Sequence, residues 1–187
     1  LNFLSQKLEA FDRQEPNINI NPQSRWSEPK FKEDSYPISA ADETTEKTYI
    51  MIKWLVGNST NSEEWVALEI LSRILLGNEA APLKKAIVES QMGQDILRSG
   101  SDSVGKETTF HVSIQGSEPE RGEAFNQLVL NTLETLAEKE IEPSIVEAAF
   151  QQAIYQHQEI AQMYPLRMLF RVMQTWIYSN EPLTLLY

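Results

Sequence analysis

The chain has no cysteine in 187 residues. Disulfides, cysteine nucleophiles and thiolate metal sites are therefore excluded. Histidine is nearly as scarce, with only His111 and His157, far apart in sequence. A hydrolytic metal centre gathers several His, Asp or Glu ligands at helical or hairpin spacing, and neither HExxH nor HxxEH occurs. Long apolar runs are missing: none approaches the roughly 20 residues that a bilayer-spanning helix needs. The N-terminus lacks the pattern of a signal peptide. Positive charge is in deficit, 16 Lys and Arg against 27 Asp and Glu, for a net charge of −11. Such a surface repels nucleic-acid backbones and anionic membranes. It suits basic peptides, or simply solubility.

Glycine-rich chemistry is also lacking. No G-x-S-x-G elbow is present. The run Gly100-Ser101-Asp102-Ser103-Val104-Gly105 leads through Lys106-Glu107 into a strand, without the Gly-Lys-Ser/Thr ending and helix of a phosphate loop. It reads as the loop of a hairpin. His157-Gln158-Glu159 reads as an exposed helix surface, His111 as a cross-strand polar residue, and Glu138, Glu140 and Glu142 as the solvated end of a helix. Taken alone, the residues point to no active site.

What is present is a soluble composition, 41% apolar, long enough for one domain with a sizeable core. Leu1, Leu4, Leu8 and Phe11 are spaced for an amphipathic helix. Residues 13–46 form an extended arm carrying Pro16, Pro22, Pro29 and Pro37, with Trp26, Phe31 and Tyr36 expected to pin it to a main body over 47–187. Lys47–Val56 alternates as a strand, as does Glu107–Gln115, with Asp95–Ser99 as a third. Asn61 with Glu64, and Ser117 with Glu120, match the capping-box pattern ahead of helices. Leu75–Gly100 has the densest local signals: a helix ending at Gly77-Asn78, a short helix opened by Pro82 and ending at Gly93, then an extended exit. A helix from Pro143 and a last one after Pro165, with an apolar face of Leu166, Leu169, Phe170, Met173, Trp176 and Ile177, complete the chain. This order predicts a single α+β domain, a mixed or antiparallel sheet backed by helices on one face. Three strands are few for this length, and a missing first strand would account for it.

Several of these residues carry a resemblance. Trp26-Ser27-Glu28-Pro29 with Tyr36-Pro37, Lys53-Trp54-Leu55, Leu75-Leu76-Gly77 with Ala81-Pro82-Leu83 and Glu89-Ser90 to Gly93, and Trp176-Ile177-Tyr178 with Pro182 and Leu185–Tyr187 occur in one order. In this the chain resembles the second, non-catalytic domain of the presequence-protease branch of the insulinase/pitrilysin-type zinc metallopeptidases. The resemblance implies an α+β sandwich domain of a longer polypeptide, its first strand lying upstream of Leu1. It further implies a parent zinc endopeptidase that degrades short unstructured peptides, with this domain forming part of the substrate chamber. The HxxEH zinc site belongs to another domain, so no catalytic or metal residue is expected here, and the fragment alone is expected to be inactive and zinc-free.

By the same resemblance, Arg98, Ser99 and Gly100, beside the Asn78–Ala81 turn, stand where a sheet edge would hold a peptide by main-chain hydrogen bonds. The implied partners are other domains of the same polypeptide and unstructured peptides, with no nucleic acid and no membrane. The implied location is bacterial cytoplasm or an organelle matrix or stroma. The alternative is a peptide-binding, processing-peptidase-like scaffold subunit that does not cut.

Overall fold

The structure is a computed structural model that describes residues 2–9, 11–12, 21–103, 105–139, 141–159 and 163–178. Its elements in order are α1 (Asn2–Leu8), β1 (Thr48–Asn58), α2 (Ser62–Leu76), α3 (Pro82–Ser90), β2 (Asp95–Ile96), β3 (Gly100–Asp102), β4 (Glu107–Ser117), α4 (Gly122–Glu138), α5 (Pro143–Gln158) and α6 (Tyr164–Tyr178).

The sheet is open and wholly antiparallel. β4 lies at its centre, paired with β1 on one side and with β2 and then β3 on the other. Alternation in β1 and β4 sets the register. Ile50, Ile52 and Trp54 oppose Ile114, Val112 and Phe110, and all six face the helical layer. That layer supplies Leu75 from α2, Leu83 and Ile87 from α3, and Phe125 and Val129 from α4 to the same core. α5 packs outside α2 through the buried Ala149 and Ala153, and Arg73 ties the two by bonding Glu69 (2.7 Å) and Gln156 (2.6 Å). The expected α+β layout with helices on one face is the observed one.

Local details depart from the sequence-based expectations where tertiary contacts outweigh local signals. Asn61 does cap α2, its side chain accepting from the Glu64 N–H at 3.2 Å, but Glu64 reaches back past it to the Asn58 N–H at 3.1 Å. Ser117 is not a helix cap. It ends β4 and donates its hydroxyl to the Met92 carbonyl (2.6 Å), and a 3-10 turn over Pro119–Arg121 leads into α4. α3 stops at Gln91 in the left-handed region (φ 53°), ahead of Gly93. Gly93 answers a different need: a Cβ there would lie 2.9 Å from the Gln115 carbonyl oxygen. The run expected as a hairpin loop from Gly100 contains β3, so the edge opposite β1 holds two short strands rather than one.

In the arm, Tyr36 packs edge-on against Tyr49 and its hydroxyl donates to the Lys47 carbonyl, while Arg25 pairs with Glu107 at 3.0 Å. Trp26 and Phe31 do not pin it; they are 61% and 87% exposed. The apolar face expected on α6 forms at helical spacing, yet Leu169, Phe170 and Trp176 are all exposed. The arm residues 13–20 lie outside the described residues.

Candidate functional site

The five residues expected to offer a peptide-binding edge lie close to one another in the fold but differ in what they present. β2 begins as Gln94 and Leu97 donate their N–H groups to the carbonyls of Gln115 and Ser113, both at 2.9 Å. Beyond Leu97 the ladder breaks, and side chains replace the missing backbone bonds. The Ser99 hydroxyl accepts the Ser113 N–H at 3.0 Å and donates to the Leu97 carbonyl at 2.9 Å. His111 Nε2 stands 2.8 Å from the Arg98 carbonyl, the geometry of a donor. Its Nδ1 has no partner among the described residues. Arg98 thus has its carbonyl turned inward while its side chain is exposed to solvent.

Gly100 reopens the strand pairing opposite His111, at φ +122°. Side chains other than hydrogen are strained in that region. A Cβ would also stand 3.2 Å from Cβ of Ser72 on α2. The close approach lets Ser72 Oγ accept the N–H of Ser101 at 2.9 Å while donating to the Leu68 carbonyl at 2.7 Å. Gly100 is therefore buried beneath α2, and the outward N–H of Ser101 is already satisfied. In the neighbouring turn the Asn78 side chain accepts from the Ala80 N–H (2.9 Å), and its carbonyl from Ala81 N–H (3.0 Å). Asn78 is exposed, whereas Ala81 is 3% exposed and opens α3 as its N-cap.

A cleft of about 330 Å³ lies between α3 and the β2 edge. Ile87, Val88 and Gln91 form one wall, Gly93 to Leu97 and Ser99 the other, and Glu79 and Lys84 close an end with an ion pair at 2.6 Å. Val88 is 53% exposed and faces into it. Of the expected site residues only Ser99 lines this cleft. Val88, Gln94 and Asp95 line it without having been singled out in the sequence, because a shallow groove between a helix and an edge leaves no periodic signature. A second depression, about 480 Å³, lies where arm residues Asn21–Ser24 cross the far end of the sheet by Lys53, Asp102 and Thr109.

Among the described residues no three or more His, Cys, Asp or Glu side chains come together as a metal ion would require. His111 is committed to the Arg98 carbonyl and is buried. These residues do not fit a zinc centre. No helix among the described residues is long and apolar enough to cross a membrane.

Comparison with known proteins agrees with this geometry. The family described as the peptidase M16 inactive domain matches residues 2–153. Protein HypA of Clostridium perfringens is 27% identical over 97% of this chain, which covers 19% of that protein. The mitochondrial presequence protease of Xenopus laevis is 26% identical over 96% of the chain and 18% of its own length. Presequence protease 1 of Arabidopsis thaliana, chloroplastic and mitochondrial, is 27% identical over 97% of the chain and 17% of its length. The chain thus spans less than a fifth of these relatives. The family model covers most of the chain and the antiparallel sheet backed by helices fits it, so the chain belongs to the peptidase M16 family as a domain of its inactive, non-catalytic type.

Proposed function

We propose that this domain serves a zinc metalloendopeptidase that degrades short unstructured peptides, forming part of the wall of its substrate chamber. Zinc and the residues that cut would come from another domain of the same polypeptide. This domain would hold an extended substrate along the segment Arg98–Ser99–Gly100, beside the Asn78–Ala81 turn. The observation that carries the reading is the cleft between α3 and the β2 edge, an apolar-floored groove with exposed polar rims next to a discontinuous strand. Peptides that add to such an edge gain main-chain hydrogen bonds whatever their sequence, and a neighbouring groove takes alternate side chains. Gly100 is covered by α2, so the accessible part of this site is Arg98, Ser99 and the cleft. The relatives named as mitochondrial, chloroplastic and clostridial support a location in an organelle or in bacterial cytoplasm.

Arg98→Glu and Val88→Trp, made separately in the full-length enzyme, test the site. Both side chains are exposed, so neither change disturbs the core. KM for an unstructured peptide is expected to rise several-fold in each, with kcat little changed and one zinc retained per enzyme. Unchanged KM in both variants would remove the peptide-holding role.

A further inference from the structure

Ile96 turns its main-chain groups away from the sheet. Leu97 donates inward to the Ser113 carbonyl at 2.9 Å, and Ile96 stands opposite Ile114. In antiparallel pairing this register points the N–H and C=O of Ile96 off the edge, on the side of the cleft under α3. The N–H is already taken. The Asp95 carboxylate accepts it at 2.8 Å, so an incoming peptide carbonyl must displace that side chain. Charge placed at an edge in this way discourages indiscriminate pairing.

Charge in the cleft is uneven. Of the charged residues that line it, Glu79 and Lys84 neutralise one another at 2.6 Å. Asp95 is exposed and has no ion-pair partner among the described residues. Arg98, three residues on, does not line the cleft. A neutral peptide that displaced the carboxylate would leave it without a partner. A basic peptide would replace the broken bond with a charge-assisted one.

Strand alternation fixes where that cation must sit. A peptide residue opposite Ile96 shares its face and lowers its side chain beside Leu76, Ile87 and Val88. The next residue turns to the other face, on the side of Asp95.

We infer that Asp95 is a specificity-determining residue of the cleft, selecting extended peptides in which Lys or Arg adjoins an apolar residue. This rests on the peptide-holding role proposed above and adds to it the class of peptide held. The net charge of −11 attracts cations from a distance as well, so an acidic residue elsewhere serves as the control.

Three acetylated, unstructured peptides that differ only in a Leu-Arg, Leu-citrulline or Leu-Glu pair test it, as competitors of one reference substrate in the full-length enzyme. Acetylation keeps the α-amine out of the comparison. The Leu-Arg peptide is expected to bind about two- to fivefold tighter than Leu-citrulline, the range of one exposed ion pair. Asp95→Asn keeps an oxygen for the Ile96 N–H but removes the charge, and should bring that ratio close to one. Asp95→Lys should favour Leu-Glu, and Glu134→Gln, on the exposed side of α4, should leave the ratio as it was. A ratio that survives Asp95→Asn, or that falls equally in Glu134→Gln, would overturn the inference. Val88→Trp separates the two readings. If it weakens all three peptides while the ratio ignores Asp95, the cleft still holds peptides and only the selectivity is lost. If it weakens none, the site goes and the selectivity with it.

Discussion

Replacing Ser72 by alanine should unfasten the β3 edge from α2. The Ser72 hydroxyl makes two bonds, accepting the Ser101 N–H at 2.9 Å and donating to Leu68 at 2.7 Å. The Leu68 carbonyl keeps its place in the helix, so losing the second bond costs little. The Ser101 N–H is part-buried between strand and helix and would be left without a partner, at a cost of about 1–2 kcal/mol. Alanine improves the helix propensity of α2 by roughly 0.5 kcal/mol. The net loss is therefore about 0.5–1.5 kcal/mol, small beside the whole but local in its effect. Urea denaturation reads the global term. Exchange of the Ser101 amide reads the local one, expected to quicken about tenfold while amides in the middle of β4 change only with global stability. An unchanged Ser101 exchange rate would refute the reasoning, because it would mean that the N–H was never held by Ser72.

Three other substitutions probe the same architecture. Gly100→Ala should cost about 1–3 kcal/mol from its φ of +122°, with the 3.2 Å approach to Ser72 Cβ adding to it, and a lower Tm is the measure. Phe125→Ala, at a fully buried position in the core, should lose about 3–5 kcal/mol in chemical denaturation, whereas Phe31→Ala, on the exposed arm, should lose almost nothing.

The features legible in the sequence were those in which one short-range rule acts alone. Alternation over β1 and β4 has a period of two, so both strands could be read directly, although β4 is buried on both faces from Phe110 to Ile114. The Asn61 cap ahead of α2 and the proline that opens α3 were equally plain. β3 was not legible, since Gly-Ser-Asp has no alternation and is held by Ser72 and by Thr109, whose hydroxyl donates to the Asp102 carbonyl at 3.2 Å. The Ser117–Glu120 pattern misled because the serine was needed more by the Met92 carbonyl than by a helix end. The turn at Gln91 escaped notice because a left-handed glutamine has no compositional mark. Burial failed where it depends on neighbours: the periodicity of α6 predicts a helix correctly but says nothing of what lies against it. At the candidate site, Arg98 and Ser99 could be named from the resemblance. That the Ser99 hydroxyl patches a broken ladder and that α2 roofs Gly100 needed three-dimensional positions.

The central place of β4 has a consequence for synthesis on the ribosome. Among the described residues every strand pair includes β4, and its longest partnership joins Thr48 to Ser117. As translation proceeds, β1 emerges with Ile50, Ile52 and Trp54 uncovered, and among the described residues no strand made before residue 107 pairs with it. At about 5–20 residues per second, the gap between the end of β1 and the end of β4 lasts roughly 3–12 s. During that interval β1 waits for its described partner with an apolar face uncovered, which makes the nascent chain a natural client for chaperones at the exit tunnel. The sheet is then expected to close late and in one step, when its middle strand arrives.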